Sequence, residues 1–195
     1  RHTRLQGDWS SDVCSSDLFL DNEDFFKRKH IFTDDNDKWF DDNGLRAVLF
    51  CKGALETVRK FGWPPDLIHC SGWMTGLIPM FIKAAYKREP VFSNSKVIFT
   101  IGSNTFKDKL GADFLKFATI NDHVTKKELE AFKDVNNTAM FRGGAQYADA
   151  ITFGAADVDK KLVEEFSKVR GKKVVKFNEE SDLTEYLQLY ADLSK

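Results

Sequence analysis

Four short apolar runs constrain the fold of this 195-residue chain: Leu67–Cys70, Lys96–Ile101, Ala150–Phe153 and Lys173–Phe177. Each reads as a strand, and long segments, several with helical spacing, separate one from the next. Tight turns would join antiparallel neighbours, whereas crossovers of this length join parallel ones. The run Val97-Ile98-Phe99-Thr100-Ile101 is nearly all apolar, as a strand covered on both faces requires, and Gly102 closes it. Asp42 or Asn43 can cap a helix running to about Phe61, which Gly62 and Pro64-Pro65 end. On that helix Leu45, Leu49, Ala54 and Val58 lie near one face, with Lys52, Arg59 and Lys60 mostly outward. Further helices are expected over about Trp73–Tyr86, Lys126–Lys133, Thr138–Tyr147, Asp157–Val169 and Asp182–Leu193. The segment Asp157–Val169 gathers Val158, Leu162, Val163 and Phe166 on one side, opposite Lys160, Lys161, Glu164 and Glu165. Phe19–Phe40 reads as loop with short helical turns. With no internal repeat and no low-complexity linker, the expectation is one α/β domain whose parallel sheet is covered on both faces.

Charge and cysteine usage narrow the functional classes. Lys and Arg number 29 against 30 Asp and Glu, which gives no electrostatic case for nucleic acid or an anionic membrane. The longest apolar stretches, around Ala47–Phe50 and Leu77–Ile82, are far shorter than the roughly 20 residues that span a bilayer. Three cysteines in a chain of this length do not make a disulfide framework, so a reducing, cytoplasmic setting is expected. Eighteen phenylalanines are enough to dominate the core.

The first eighteen residues, Arg1–Leu18, are rich in Ser and Asp and have neither apolar periodicity nor the h-region of a signal peptide. They resemble the in-frame translation of an indexed sequencing-library adapter. Residues 1–18 are therefore expected to be an artefact without fixed structure, and the lack of an initiator Met implies that the natural beginning is lost. Setting them aside removes Cys14, Trp9 and His2 and leaves Cys51, Cys70, His30, His69 and His123.

The chemistry-bearing residues mostly admit plain readings. His69 and Cys70 are neighbours in a strand and point to opposite faces, which favours core roles over a nucleophile pair. Ser71 lacks the Gly two positions earlier that a nucleophile elbow needs. Gly143-Gly144 follows no strand and fits close helix packing better than a phosphate cradle. Two cysteines and three scattered histidines give no metal-ligand spacing. Trp73 suits packing, though a Trp face also stacks on sugar rings. The acidic run Asp34, Asp35, Asp37, Asp41, Asp42 reads as a solvated loop, with Asp42 a cap or a cleft hydrogen-bonder. Lys168, Arg170, Lys172 and Lys173 read as an exposed helix end.

Several collinear segments carry a family resemblance. Asp21-Asn22-Glu23-Asp24-Phe25-Phe26 is similar to a "DNEYF" stretch, and Phe40 to Arg46 to "F-DN-x-x-R". Trp63 to Cys70, continuing through Trp73, Thr75, Leu77, Ile78 and Pro79, is similar to "WxPDIIHxHDW"; Val97 to Ile101 to "VFTIHN"; and Phe141 to Asp149 to "LKxGxxYAD". Together they resemble the bacterial glycogen and starch synthases that use ADP-glucose, over roughly Phe19–Leu162. The resemblance implies a Rossmann-like sheet forming the N-terminal half of a GT-B glycosyltransferase, incomplete in that the family's first strand and its C-terminal donor-binding domain are missing from 19–195. It implies a retaining hexosyl transfer from ADP-glucose to an α-1,4-glucan in glycogen synthesis, without cofactor or metal. α-Glucan is then the expected partner, with no nucleic acid and no membrane. By the same resemblance the substrate-binding candidates are Asp42, Asn43, Ser71, Trp73, Thr75, Gly102, Asn104, Arg142, Gly143 and Gly144. The departures fall at strand ends. Ser71 stands where the family has an active-site His, Gly102-Ser103 where it has His-Asn, and Gly154-Ala155 where it has Ser-Pro. Those losses imply that no residue is assignable as catalytic and that this chain itself is inactive, or alternatively a non-catalytic glucan-binding or regulatory pseudoenzyme.

Overall fold

The computed structural model describes residues 22–103, 106–107, 109–178 and 184–194, so the adapter-like segment lies outside the described residues. Helix α1 (Glu23–Phe26) is capped by the Asn22 side chain, and α2 (Asn43–Phe61) follows. Strand β1 (Leu67–Ser71) leads through a 3-10 turn (Trp73–Thr75) into α3 (Ile78–Lys83), and β2 (Lys96–Ile101) comes next. After α4 (Phe114–Ala118), α5 (Lys126–Leu129) and α6 (Asn137–Tyr147) come β3 (Ala150–Phe153), α7 (Lys160–Phe166), β4 (Lys173–Val175) and α8 (Thr184–Leu193).

The four strands are all parallel, in the order β1-β2-β3-β4. Each strand is laid on the same side of its predecessor, so right-handed crossovers deliver the intervening helices to one face of the sheet. That face carries Cys70, Val97, Phe99, Ile101, Ile151 and Phe153, which form the main core with residues of α2, α3, α6 and α7. The other face carries Ile98 and Ala150, covered by Leu189 of α8 with Val175, Tyr190 and Leu193 around it. Both faces are covered, as the alternating pattern implied, but unequally.

Two of the departures from the sequence expectation have a packing reason. The buried stripe of α2 is Gly44, Ala47, Val48, Cys51 and Leu55, while Leu45, Leu49 and Ala54 are only partly buried. Small residues let the helix approach its neighbours: a Cβ on Gly44 would lie 2.2 Å from the Leu110 carbonyl oxygen. The segment Trp73–Tyr86 is not one helix. Gly76 sits so close to α6 that a Cβ would lie 2.7 Å from the Met140 oxygen, and Pro79 opens α3 in its first turn, where its missing N–H costs nothing.

His69 and Cys70 point to opposite faces as expected, but only Cys70 takes the expected core role, His69 being exposed. Cys70 lies in the main core, its thiol pushed up to about 12 by burial, which makes it inert as a nucleophile. His69 faces the other way and ties three strands to α8: Nδ1 lies 2.6 Å from the Tyr190 hydroxyl, Nε2 2.7 Å from Thr100 Oγ1, and Thr100 Oγ1 2.6 Å from Thr152 Oγ1.

Lys172 departs from its expected solvated role. Its ammonium donates to the carbonyls of Ala145, Gln146 and Ala148 at 2.8, 2.6 and 2.7 Å, satisfying the C-terminal end of α6. Asp149 fastens the same corner, accepting from Lys83 Nζ and, at 2.8 Å, from the Val97 amide.

The paired glycines of α6 behave as the close-packing reading requires. A Cβ on Gly143 would lie 2.1 Å from the Phe132 ring, and one on Gly144 2.4 Å from the Phe99 ring, both rings being fully buried. Gly144→Ala is expected to destabilise the chain by about 1–3 kcal/mol in urea denaturation, because Phe99 has no space to yield. Unchanged stability would show that α6 does not seat this tightly on β2.

Candidate functional site at the carboxyl edge of the sheet

Register brings three strand ends to a common level: Ser71 pairs with Thr100, and Ile101 with Phe153. Ser71-Gly72, Gly102-Ser103 and Gly154-Ala155 therefore line one edge, the place where open α/β sheets receive their ligands. Gly72 turns the chain with φ 80° and ψ 161°, a conformation open essentially to glycine alone. Thr75 Oγ1 then donates to the Gly72 carbonyl at 2.8 Å, and Ser103 Oγ donates to Asp157 Oδ1 at 2.6 Å, linking the loops after β2 and β3.

Beside this edge four aromatic rings from three parts of the chain come together. Trp73, 2% exposed, meets Phe32 at 5.2 Å, Trp39 at 5.8 Å and Phe106 at 4.8 Å between ring centroids, and Phe106 stacks on Trp39 at 4.5 Å. The indole N–H of Trp73 is buried without a hydrogen-bond acceptor.

Phe32 and Trp39 belong to a tight hairpin, paired through Thr33 and Trp39 and closed by Asp34, whose side chain accepts from the Asn36 and Lys38 amides. The "F-DN-x-x-R" residues hold that hairpin. Asn43 Nδ2 donates to the Phe32 carbonyl at 2.7 Å. Arg46, 3% exposed, donates to the carbonyls of Phe25 (2.8 Å) and Ile31 (2.6 Å) and to Asn43 Oδ1 (2.5 Å), and its guanidinium lies near the Phe26 and Phe40 rings. Burial and the neighbouring Arg28 charge lower the Arg46 pKa from its ordinary value. Asp42 does not cap α2 with its side chain; both of its oxygens accept from Arg28 instead, which in turn covers Phe40 at 4.4 Å.

The sequence candidates thus fall in different places. Ser71, Thr75 and Gly102 sit at the edge itself. Trp73 lies just behind it, with its ring faces taken up by other rings. Asp42 and Asn43 are engaged in holding the hairpin. Arg142 pairs with Glu165 at 3.0 Å, and Gly143 and Gly144 are in the core. Asn104 lies outside the described residues. Phe32, Trp39 and Phe106 were not singled out from sequence: single aromatics in acidic or irregular loops have no periodicity to mark them.

A family model described as "Starch synthase catalytic domain" matches residues 15–174, beginning inside the adapter-like segment at Ser15. The chain belongs to that family. A glycogen synthase from Desulforudis audaxviator is 32% identical over 133 residues, 68% of this chain and 25% of its own length. One from Chlorobium limicola is 33% identical over 136 residues, 69% of this chain and 27% of its own. The chain spans about a quarter of the length of these curated relatives. A solved structure titled "Catalytic domain of Starch Synthase IV from Arabidopsis thaliana bound to ADP and acarbose" shares its fold, with a TM-score of 0.56 and 17% identity over 83% of this chain and 34% of that one.

In this starch synthase-type domain the Arg28–Asp42 pair gives the hairpin clamp a pH dependence. The Arg28 hydrogen bond, aided by the Arg28 and Arg46 charges, holds the Asp42 carboxyl below its ordinary value. A lowered native pKa means stability that is present above about pH 4, the ordinary carboxylate value, and lost as pH falls through the native one. Asp42→Asn is therefore expected to be less stable than the parent at pH 7, with a smaller gap at about pH 3, below the ordinary carboxylate value. A gap of constant size in urea melts at the two pH values would contradict the pairing.

Proposed function

We propose that this chain is a glycogen/starch synthase-type glycosyltransferase domain that engages α-1,4-glucan in glycogen metabolism, and that by itself it transfers no glucose. Family membership supports the first half, and the strand-end chemistry supports the second. The observation that carries the reading is the contrast along one edge: the core strands and the hairpin clamp keep the family pattern, whereas the positions facing a ligand read Ser71-Gly72, Gly102-Ser103 and Gly154-Ala155. Polarising a glycosyl donor and stabilising a departing nucleotide require donors or cations fixed at the developing charge. Glycine and alanine supply no side chain for that, and the Ser103 hydroxyl is directed to Asp157.

ADP-glucose is the donor this reading assigns to the complete enzyme, with no cofactor or metal, and the setting is cytoplasmic. Among the described residues no helix is long and apolar enough to cross a membrane. A non-catalytic glucan-binding or regulatory role fits this chain better than turnover, since an aromatic cluster stands beside the edge while Ser71, Gly102 and Gly154 take the positions where the family resemblance implies His, His and Ser.

Two measurements test the proposal together. Electrophoresis through a glycogen-containing gel is expected to retard the chain, and unaltered mobility would remove the glucan reading. Incubation with labelled ADP-glucose and glycogen is expected to give incorporation no higher than a protein-free control, and turnover above that level would overturn the claim of inactivity.

A further inference from the structure

Two independent features of the aromatic cluster point to something the chain itself does not provide. The first is the Trp73 indole N–H, buried and without an acceptor. An unmatched buried donor is costly and uncommon in native proteins. The second is the position of Phe106. Its ring stacks on Trp39 at 4.5 Å and 23°, and meets the Trp73 ring nearly edge-on at 4.8 Å and 64°. Phe106 thereby fills the corner between the two indoles with an apolar ring that has no lone pair to offer the orphaned N–H.

We infer that Trp39 and Trp73 form a seat for one glucosyl ring, and that Phe106 occupies this seat in the ligand-free chain. A pyranose presents an apolar C–H face of about the breadth of a benzene ring, suited to the Trp39 face that Phe106 now covers. Unlike Phe106, it also carries hydroxyl and ring oxygens around its rim, the acceptors that the Trp73 N–H lacks. Location supports the assignment. Trp73 directly follows the Gly72 turn at the end of β1, Phe106 lies in the loop after β2, and Trp39 is presented by the hairpin that Asn43 and Arg46 hold. A neutral, polyhydroxylated ligand also fits the cluster's chemistry, since its four rings bring no charge. This seat rests on the α-glucan reading and adds to it the residues that touch the sugar and the one that excludes it. Binding then requires Phe106 to leave, so the apparent affinity of the parent chain is reduced by the fraction of time the seat is open.

The test is isothermal titration of the full chain with maltopentaose. Phe106→Ala is expected to bind about tenfold more tightly than the parent, the effect of freeing a seat that is open about one-tenth of the time. Adding Trp39→Ala to Phe106→Ala is expected to abolish the gain, and adding Trp73→Phe, which keeps a ring but removes the N–H, to weaken binding several-fold. Phe106→Leu, closer in volume, serves if the alanine variant unfolds and is expected to give a smaller gain in the same direction. Equal affinity of the parent and both Phe106 variants, or a Trp39 variant that binds as tightly as its Trp39-containing counterpart, would overturn the seat. Glycogen-gel retardation separates the two levels. Retardation that persists unchanged in Trp39→Ala sinks the seat and leaves the glucan reading standing, whereas no retardation of any form sinks both.

Discussion

A guanidinium buried to 3% exposure must find acceptors for its donors, and Arg46 takes them from backbone far away in the chain. Its bonds to the Phe25 and Ile31 carbonyls cross 21 and 15 residues, and its bond to Asn43 aligns the amide that holds Phe32. Residues 22–40 form few regular elements of their own, so these bonds, with the Arg28–Asp42 pair, are what give the segment one conformation. The hairpin carrying Phe32 and Trp39 is placed against Trp73 as a result. Hydrogen bonds to a charged donor contribute about 1.5–3 kcal/mol each, more than most contacts available to a loop. Arg46, which the sequence marks only as the last residue of the "F-DN-x-x-R" resemblance, is the link between the α2 helix and the hairpin beside the carboxyl edge of the sheet.

The sheet and the clamp divide the work of positioning. Parallel strands added in one direction send α3, α6 and α7 to one face, and the glycines of α6 let that layer approach until Phe99 and Phe132 touch the helix backbone. This leaves the carboxyl edge open between the loops after β1, β2 and β3. At that edge Gly72 turns the chain and Thr75 secures the turn, and in the proposed reading it is the side chains there, not the scaffold, that depart from the family. Scaffold and chemistry are therefore separable in this domain, which is why membership in the starch synthase catalytic family and the proposed absence of turnover are compatible.

Strands β2 and β3 were readable from sequence because continuous apolar runs report burial on both faces directly, and β1, with only Cys70 buried, was readable from its short run after Pro64-Pro65. The helix ends at Gly62 and around Tyr147 were readable for similar local reasons. The buried face of α2 was not, because its close contacts are made by Gly44, Ala47 and Cys51, and the eye follows Leu45 and Leu49. Lys172 looked solvated because nothing local shows that three carbonyls at the C-terminal end of α6 lie within its reach. At the site, Ser71, Trp73, Thr75 and Gly102 could be placed from the strand that precedes each. Asp42 and Asn43 were marked as helix cap or substrate-binding candidates, whereas the bonds they make run to Arg28, Phe32 and Arg46. The convergence of Trp39 and Phe106 on Trp73 depends on contacts across 34 and 33 residues, which no local pattern encodes.

The account stands most directly on Arg46 ordering the hairpin, and native-state amide exchange reads that at a single bond. The Phe40 amide donates to the Phe32 carbonyl at 3.0 Å, within the segment that Arg46 holds. In the parent chain it is expected to exchange as slowly as amides of the neighbouring α2 helix. In Arg46→Lys, which keeps the charge but cannot reach all three acceptors, it is expected to exchange at least tenfold faster while the amides of β2 keep their protection. Equal protection at Phe40 in the two proteins would contradict the claim that this buried guanidinium sets the conformation of the hairpin.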